Sequence, residues 1–240
     1  MGKVKIKRKS TLIDMTAMSD VTVLLLTFFM LTSTFLQKEP VTVLTPSSVS
    51  EVKVPTANVA SILVSPNGKV FISVAGEADP NVADGEWATE PIRRSILMGA
   101  VSEWNRLHPS KKVELTPSEV ETFTKINMFG VPFTQLKKFL GMSQTEQDEF
   151  VSNMDNPAAG IPIDDNRNLE TPNEFQIWMR AIRDKSGNEN LTSAMRKGEG
   201  IAVKADKSTD YETVHHVLDN LQTLKMNRFS IMTALKSSED

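Results

Sequence analysis

Hydrophobic positions follow three different rhythms along this chain. From Met15 to Leu36 they are almost continuous, 22 residues with a single charge, Asp20. At about 1.5 Å per residue such a run spans roughly 33 Å as a helix, enough for a hydrocarbon core of about 30 Å. A second rhythm appears in Val59–Ser65 and Lys69–Ala75, two β-branched runs around Pro66-Asn67-Gly68. That pattern predicts a hairpin, because Asn-Gly adopts the positive φ angles of a tight turn. Ile201–Ala205 reads as a third strand. The third rhythm is helical: Val214, Val217, Leu218, Leu221 and Leu224 recur at 3.6-residue spacing within Tyr211–Lys225, and Arg228–Thr233 closes as a strand. Strand, helix and strand with such short joints form a βαβ unit with parallel pairing.

Residues 87–170 are predicted to be mostly helical. Ile92, Ile96, Leu97, Ala100, Val101, Trp104 and Leu107 share one face after Pro91. Capping boxes pair Thr116 with Glu119, Ser143 with Glu146 and Thr171 with Glu174, where each side chain serves the other residue's amide. Pro117 and Pro172 then fall at first helical positions, where a missing N–H is harmless. The Thr171 box opens a helix bearing Phe175, Trp178 and Ile182, expected to pack on the sheet. Between the apolar run and the first strand, three prolines and three serines in Pro40–Pro55 exclude a helix and predict an extended linker.

Charge decides among three interpretations of the apolar run. Lys3, Lys5, Lys7, Arg8 and Lys9 precede it, although the whole chain carries −3. A cleavable signal peptide has a shorter apolar core and a small-x-small cleavage site; here the bulky Phe35-Leu36-Gln37 stands in that place. A soluble core helix seldom runs this long without a polar stripe. A transmembrane helix fits best, and the positive-inside rule puts the N-terminus in the cytoplasm. Thr16, Asp20, Thr27 and Thr34 fall on one side of the helix. An ionised group in hydrocarbon is costly and normally faces a partner helix or a water path. Asp20 is therefore either a carboxylate solvated near the cytoplasmic interface or a proton carrier inside a larger assembly.

Other chemistry is thin. The absence of cysteine excludes disulfides, a thiolate nucleophile and an iron–sulfur site. Three histidines offer no metal set: His108 stands alone near a helix end, and the adjacent His215 and His216 point about 100° apart on a helix. Asp164-Asp165 reads as a solvated turn. No Walker, Gly-x-Ser-x-Gly or Gly-x-Gly-x-x-Gly sequence occurs. The expectation is a protein that is not an enzyme, with no cofactor, no metal and no nucleic-acid partner.

The run Leu12–Met30, with Thr16 and then Asp20-Val21 before a Leu/Phe-rich span, resembles the N-terminal signature of the ExbD/TolR family. Ala17 stands where that signature has Pro, and Ser19 where it has an apolar residue. Val41-Thr42-Val43-Leu44-Thr45-Pro46 resembles the family's extended segment after the span, read either as a plain tether or as a partner-binding strand through Val41, Val43, Leu44 and Pro46. Asn67-Gly68 with its following strand, and the C-terminal run around Ala205-Asp206-Lys207, complete a resemblance over about 1–75 and 172–234. The division it implies is a cytoplasmic basic N-terminus at 1–14, a single transmembrane helix at 15–37, an extended linker at 38–58 and a periplasmic α/β (α+β) domain at 59–240. That domain is expected to hold a mixed sheet and a helical insertion at about 87–170, separable from the rest. The resemblance further implies an inner-membrane motor subunit driven by the proton-motive force, with Asp20 carrying protons and Thr16, Thr27 and Thr34 as a supporting stripe. Its implied partners are an ExbB-like polytopic ring, a second copy of itself as a homodimer, and a TonB-like periplasmic protein that serves outer-membrane transport. The alternatives are a TolR-like subunit acting through TolA and Pal on envelope integrity, and a passive anchored periplasmic binding module.

Overall fold

The structure is a computed structural model that describes residues 15–32, 39–48, 57–77, 89–153, 155–232 and 234–235. The basic N-terminus, 1–14, lies outside the described residues, as does 49–56 of the linker. Two compact units divide between Gln37 and Lys38. The first holds helix α1, Met15–Thr32.

The second unit is an α/β domain around a mixed sheet. Strands β2 (Val59–Val64) and β3 (Val70–Ala75) pair antiparallel, and Gly68 at φ 71° makes the turn between them. Strand β5 (Ile201–Ala205) lies parallel to β2, and β6 (Ser230–Ile231) parallel to β5. Strand β4 (Met128–Phe129) joins the far side of β3, giving the order β4-β3-β2-β5-β6. A separate two-residue parallel pair links β1 (Ser47–Ser48) to β7 (Ala234–Leu235). Successive strand residues face opposite sides of a sheet, and Ile62, Leu63 and Val64 on the central strand are all buried, so both faces are covered there.

The predicted hairpin and βαβ unit are present, with helix α8 (Tyr211–Thr223) between β5 and β6. The closing strand is shorter than its β-branched run: Ser230–Ile231 pairs with β5, while Arg228 turns away to reach Lys197 O. The capping boxes of α3 (Pro117–Lys125) at Thr116 and of α5 (Gln144–Ser152) at Ser143 form as the sequence indicates. That of α6 (Glu174–Lys185) does not. Its N-cap is Asn173, boxed with Gln176. Glu174, expected to reach back to Thr171, instead accepts the Phe133 N–H at 2.8 Å, a tertiary bond that local pattern does not contain. Burial pushes the Glu174 carboxyl up, and that amide pulls it back.

The segment 87–170 is not a body apart. Helix α2 (Thr89–Leu107) packs along α6 and α3, and β4 is a strand of the sheet. The Trp178 ring of α6 stacks within 5° on Phe133, 4.9 Å away at the start of α4 (Phe133–Leu140). Phe133 in turn stacks on Trp104 of α2 at 4.8 Å. Phe123 of α3 and Phe129 of β4 close on the same indole at 5.9 and 4.6 Å. One continuous core therefore contains both the sheet and this segment. This continuity weighs against removing the segment: Phe123, Phe129 and Phe133, the three rings against Trp178, all come from it.

Arg93, buried on the inner side of α2, fixes the segment further. Its guanidinium donates to Val74 O of β3 at 3.3 Å, to Thr124 O in the last turn of α3 at 3.0 Å, and to Asn127. Burial pushes the Arg93 pKa down to about 10, against the attraction of Glu90. A cation at a helix C-terminus meets the negative end of the dipole, which compensates part of the desolvation.

Two variants test this architecture. Trp178→Ala empties the centre of the stack and is expected to cost about 3–5 kcal/mol in chemical denaturation followed by circular dichroism. Replacing 87–168 by a Gly/Ser linker is expected to leave the domain open to protease. A deletion protein that unfolds cooperatively and resists protease would show that the remaining strands carry a core of their own.

Candidate functional site

Helix α1 is apolar over most of its surface, interrupted by Asp20 and by hydroxyl residues such as Thr22, Thr27 and Thr32. Leu24, Leu26, Phe28, Phe29, Met30 and Leu31 are all exposed, Leu31 by 87%. A contiguous apolar surface of this kind marks contact with lipid or with another protein. Among the described residues no helix is long and apolar enough to cross a membrane. The 18 described residues of α1 rise roughly 27 Å, short of the ~30 Å core. Ser33 to Gln37, which would complete the predicted span, lie outside the described residues.

Asp20 and Thr27 are exposed on α1, seven residues apart and so on one face; Thr16 lies on the same face one turn earlier, and Thr34 lies outside the described residues. Thr27 donates its hydroxyl to Leu24 O at 3.0 Å, as Thr22 does to Met18 O and Thr32 to Phe28 O. Such back-bonding satisfies a hydroxyl proton inside an apolar helix. It leaves the oxygen lone pairs facing outward. On the side of Asp20, Thr27 therefore offers an acceptor, suited to a water or to a proton donor on a neighbouring helix.

The linker begins as a strap held on the folded domain. Glu39 places both carboxylate oxygens 2.7 Å from Lys204 Nζ on β5. Val41 and Val43 point inward and join the core, while Thr42, Leu44 and Pro46 face out, the alternation of an extended chain. The Leu44 N–H donates to Asp206 Oδ2 at 2.6 Å, and Leu44 O accepts from the Lys207 N–H at 2.8 Å. Asp206 also accepts from the hydroxyl and the amide of Ser208, closing the turn after β5. The Ser208 hydroxyl and amide hold the Asp206 carboxyl below its ordinary range against the cost of burial, and the Leu44 amide adds to their effect. Of the four linker residues singled out for a partner, two are spent on the core, leaving Leu44 and Pro46 on the surface.

The histidines are structural in their surroundings. His108 follows α2 and stacks on Trp104 with ring centroids 3.8 Å apart. His215 lies beside Asp219 and Tyr211 on α8, and the His216 carbonyl accepts from Asn220. Asp164 binds Asn166 and Asn173 in a turn. Among the described residues no cluster of histidine and carboxylates could hold a metal ion. Sequence pattern missed Arg93 and the Asp206 latch. A charged residue between Ile92 and Ile96 on an apolar helix face was the available signal for the first. For the second there was none, since Leu44 and Asp206 are 162 residues apart.

The latch has a pH sign. A carboxyl held low in the folded state contributes fully at neutral pH, and its contribution is lost as pH falls through the folded value. The cysteine-free chain accepts spin labels at Thr42→Cys and Lys207→Cys without background. A single short inter-label distance is expected at pH 7, broadening only as pH falls below the ordinary carboxylate range and broadening at neutral pH when Asp206→Ala is added. An unchanged distance in the Asp206→Ala protein would show that the valines alone hold the strap.

Comparison with known proteins bears on α1, the strap and the hairpin together. No curated protein and no solved structure matches the chain. A family described as Biopolymer transport protein ExbD/TolR matches residues 7–126. That match covers half of the sequence and includes Asp20 and Leu44. It runs on through α2 and α3, into the segment the sequence had set apart, and does not extend to 172–234, the second part of the resemblance. An apolar helix with one carboxylate, an extended strap and an α/β domain, in this order and under this match, show that the chain belongs to the ExbD/TolR family of biopolymer transport proteins.

Proposed function

We propose that this protein is an ExbD-like subunit of an inner-membrane motor driven by the proton-motive force, with Asp20 as the proton carrier. The observation that carries the proposal is a lone carboxylate on a predominantly apolar helix, inside the region matched by the family. The apolar faces of such a helix pack against the helices of an enclosing ring. The Asp20 face, with Thr27 as acceptor beside it, turns to an ExbB-like ring subunit and to water, and a second copy of the chain completes the pair inside the ring. The basic N-terminus stays in the cytoplasm and the folded domain stands in the periplasm.

Asp20 takes a proton from the periplasmic side and releases it to the cytoplasm. One charge crossing 100 mV supplies about 2.3 kcal/mol, so several protons drive one large displacement. The strap transmits that displacement directly, because Glu39, Val41, Val43 and Leu44 are fastened to β5, its following turn and the core. A pull on the strap is a pull on the central sheet. Leu44 and Pro46 remain as surface for a TonB-like periplasmic protein that serves outer-membrane transport.

Asp20→Asn keeps size and polarity and removes titration. It is expected to abolish energised uptake through outer-membrane transporters while the protein still inserts and co-purifies with its membrane partner. Normal uptake by the variant would refute the carrier role; loss of envelope integrity with normal uptake would assign the motor to the TolR-like branch instead. Protease added to spheroplasts is expected to digest the folded domain and spare a tag on Met1, and the reverse pattern would refute the topology.

A further inference from the structure

Thr22, Thr27 and Thr32 all fold their hydroxyls back onto α1, donating to Met18 O, Leu24 O and Phe28 O. The three bonds are alike, but they point in different directions. At 100° per residue Thr27 falls within about 20° of Asp20, two turns further along the helix. Thr22 falls about 160° away from Asp20 and Thr32 about 120° away. Of these three back-bonded hydroxyls, only that of Thr27 shares the face of the carboxylate.

The back-bond fixes what the Thr27 hydroxyl can do. Its proton is committed to Leu24 O, so it hands no proton on and serves as an acceptor. A water that donates one O–H to Thr27 Oγ1 keeps its second O–H and a lone pair. With that second O–H directed along the helix towards Asp20, an arriving proton adds to the lone pair while the second O–H proton leaves along the path. One proton arrives, one departs, and Thr27 is unchanged. Seven residues separate Thr27 from Asp20, roughly 10 Å along the axis. Val23 and Leu24 occupy the intervening turn on either side of the same face, both exposed and without a side-chain acceptor. At about 2.8 Å between hydrogen-bonded oxygens, about three waters bridge such a gap.

We propose that Thr27 is a positioning residue of the proton path, orienting the outermost water of a short file that crosses the Val23–Leu24 turn to Asp20. The inference rests on the reading of Asp20 as the proton carrier and adds how the proton reaches it. Under that reading Thr27 lies on the periplasmic side of Asp20, the side from which protons arrive. The apolar turn gives a water file no fixed partner, so the file forms and breaks. Thr27 is the fixed end from which it forms again.

The test is proton flux at a fixed potential across proteoliposomes that hold the full-length protein with its co-purified membrane partner. Thr27→Val keeps the shape and removes the acceptor. It is expected to lower the flux about tenfold, the rate equivalent of one hydrogen bond, and Thr27→Ser to restore it. Thr22→Val and Thr32→Val lose the same back-bond on other faces and are expected to conduct like the parent. Val23→Thr sets a second acceptor in the apolar turn and is expected to raise the flux, both alone and together with Thr27→Val. Equal flux through the parent and Asp20→Asn would refute the carrier reading itself. With Asp20→Asn inactive, undiminished flux through Thr27→Val, or an equal loss in Thr22→Val and Thr32→Val, would overturn the role of Thr27 alone. Should Thr27→Val fail to assemble, Val23→Thr decides: flux no higher than the parent's overturns the proposal.

Discussion

The folded domain depends on the contact between Trp178 and the aromatic rings that enclose it. Three rings from two helices and an edge strand meet that indole, and Trp104 of a third helix stacks behind Phe133. Aromatic pairs of this size bury large areas and prefer offset geometry, so displacing one element displaces the others. Arg93 performs the polar counterpart, joining α2 to the ends of β3 and α3 through their carbonyls. The sheet is thereby clamped from the side of β4, and the residues beyond the hairpin become part of the same rigid body. Under the proposed function, a pull at one point of such a body is felt throughout it.

The strap is fastened to that body at several points. Its attachment combines an ion pair, two buried valines and two backbone bonds, one of them to the Asp206 carboxylate. An exposed ion pair alone contributes little. Here Lys204 and Asp206 lie on β5 and its following turn, so the strap is fixed beside the central parallel strands rather than on a loop.

What the sequence revealed follows from the range of the interactions involved. The hairpin at Asn67-Gly68, the βαβ unit and the boxes at Thr116 and Ser143 are decided within a few residues, and the chain displays them openly. The box at Thr171 was misplaced because Glu174 answers to Phe133, 41 residues away. Periodicity marks Trp104 and Trp178 as facing inward without naming what they meet, so it cannot show that 87–170 shares the core of the sheet. At the candidate site, Asp20 was legible because a lone carboxylate in an apolar run is conspicuous. The inward turn of Val41 and Val43 was not, since alternation in a proline-bounded linker looks the same whether the strand is docked or free.

A charged residue on an apolar helix is the feature on which the functional account turns. If α1 lies in the membrane with Asp20 on a proton path, that carboxyl spends part of its time protonated in an apolar setting. Carboxylic acids in that state react with hydrophobic carbodiimides. Native membranes treated with such a reagent at neutral pH, followed by mass spectrometry of the purified protein, provide the most direct measurement. The account predicts selective modification of Asp20 over Asp14 and the carboxylates of the folded domain, suppressed when the pH is raised. Failure to modify Asp20 at any pH, or modification no greater than that of the exposed carboxylates, would contradict it.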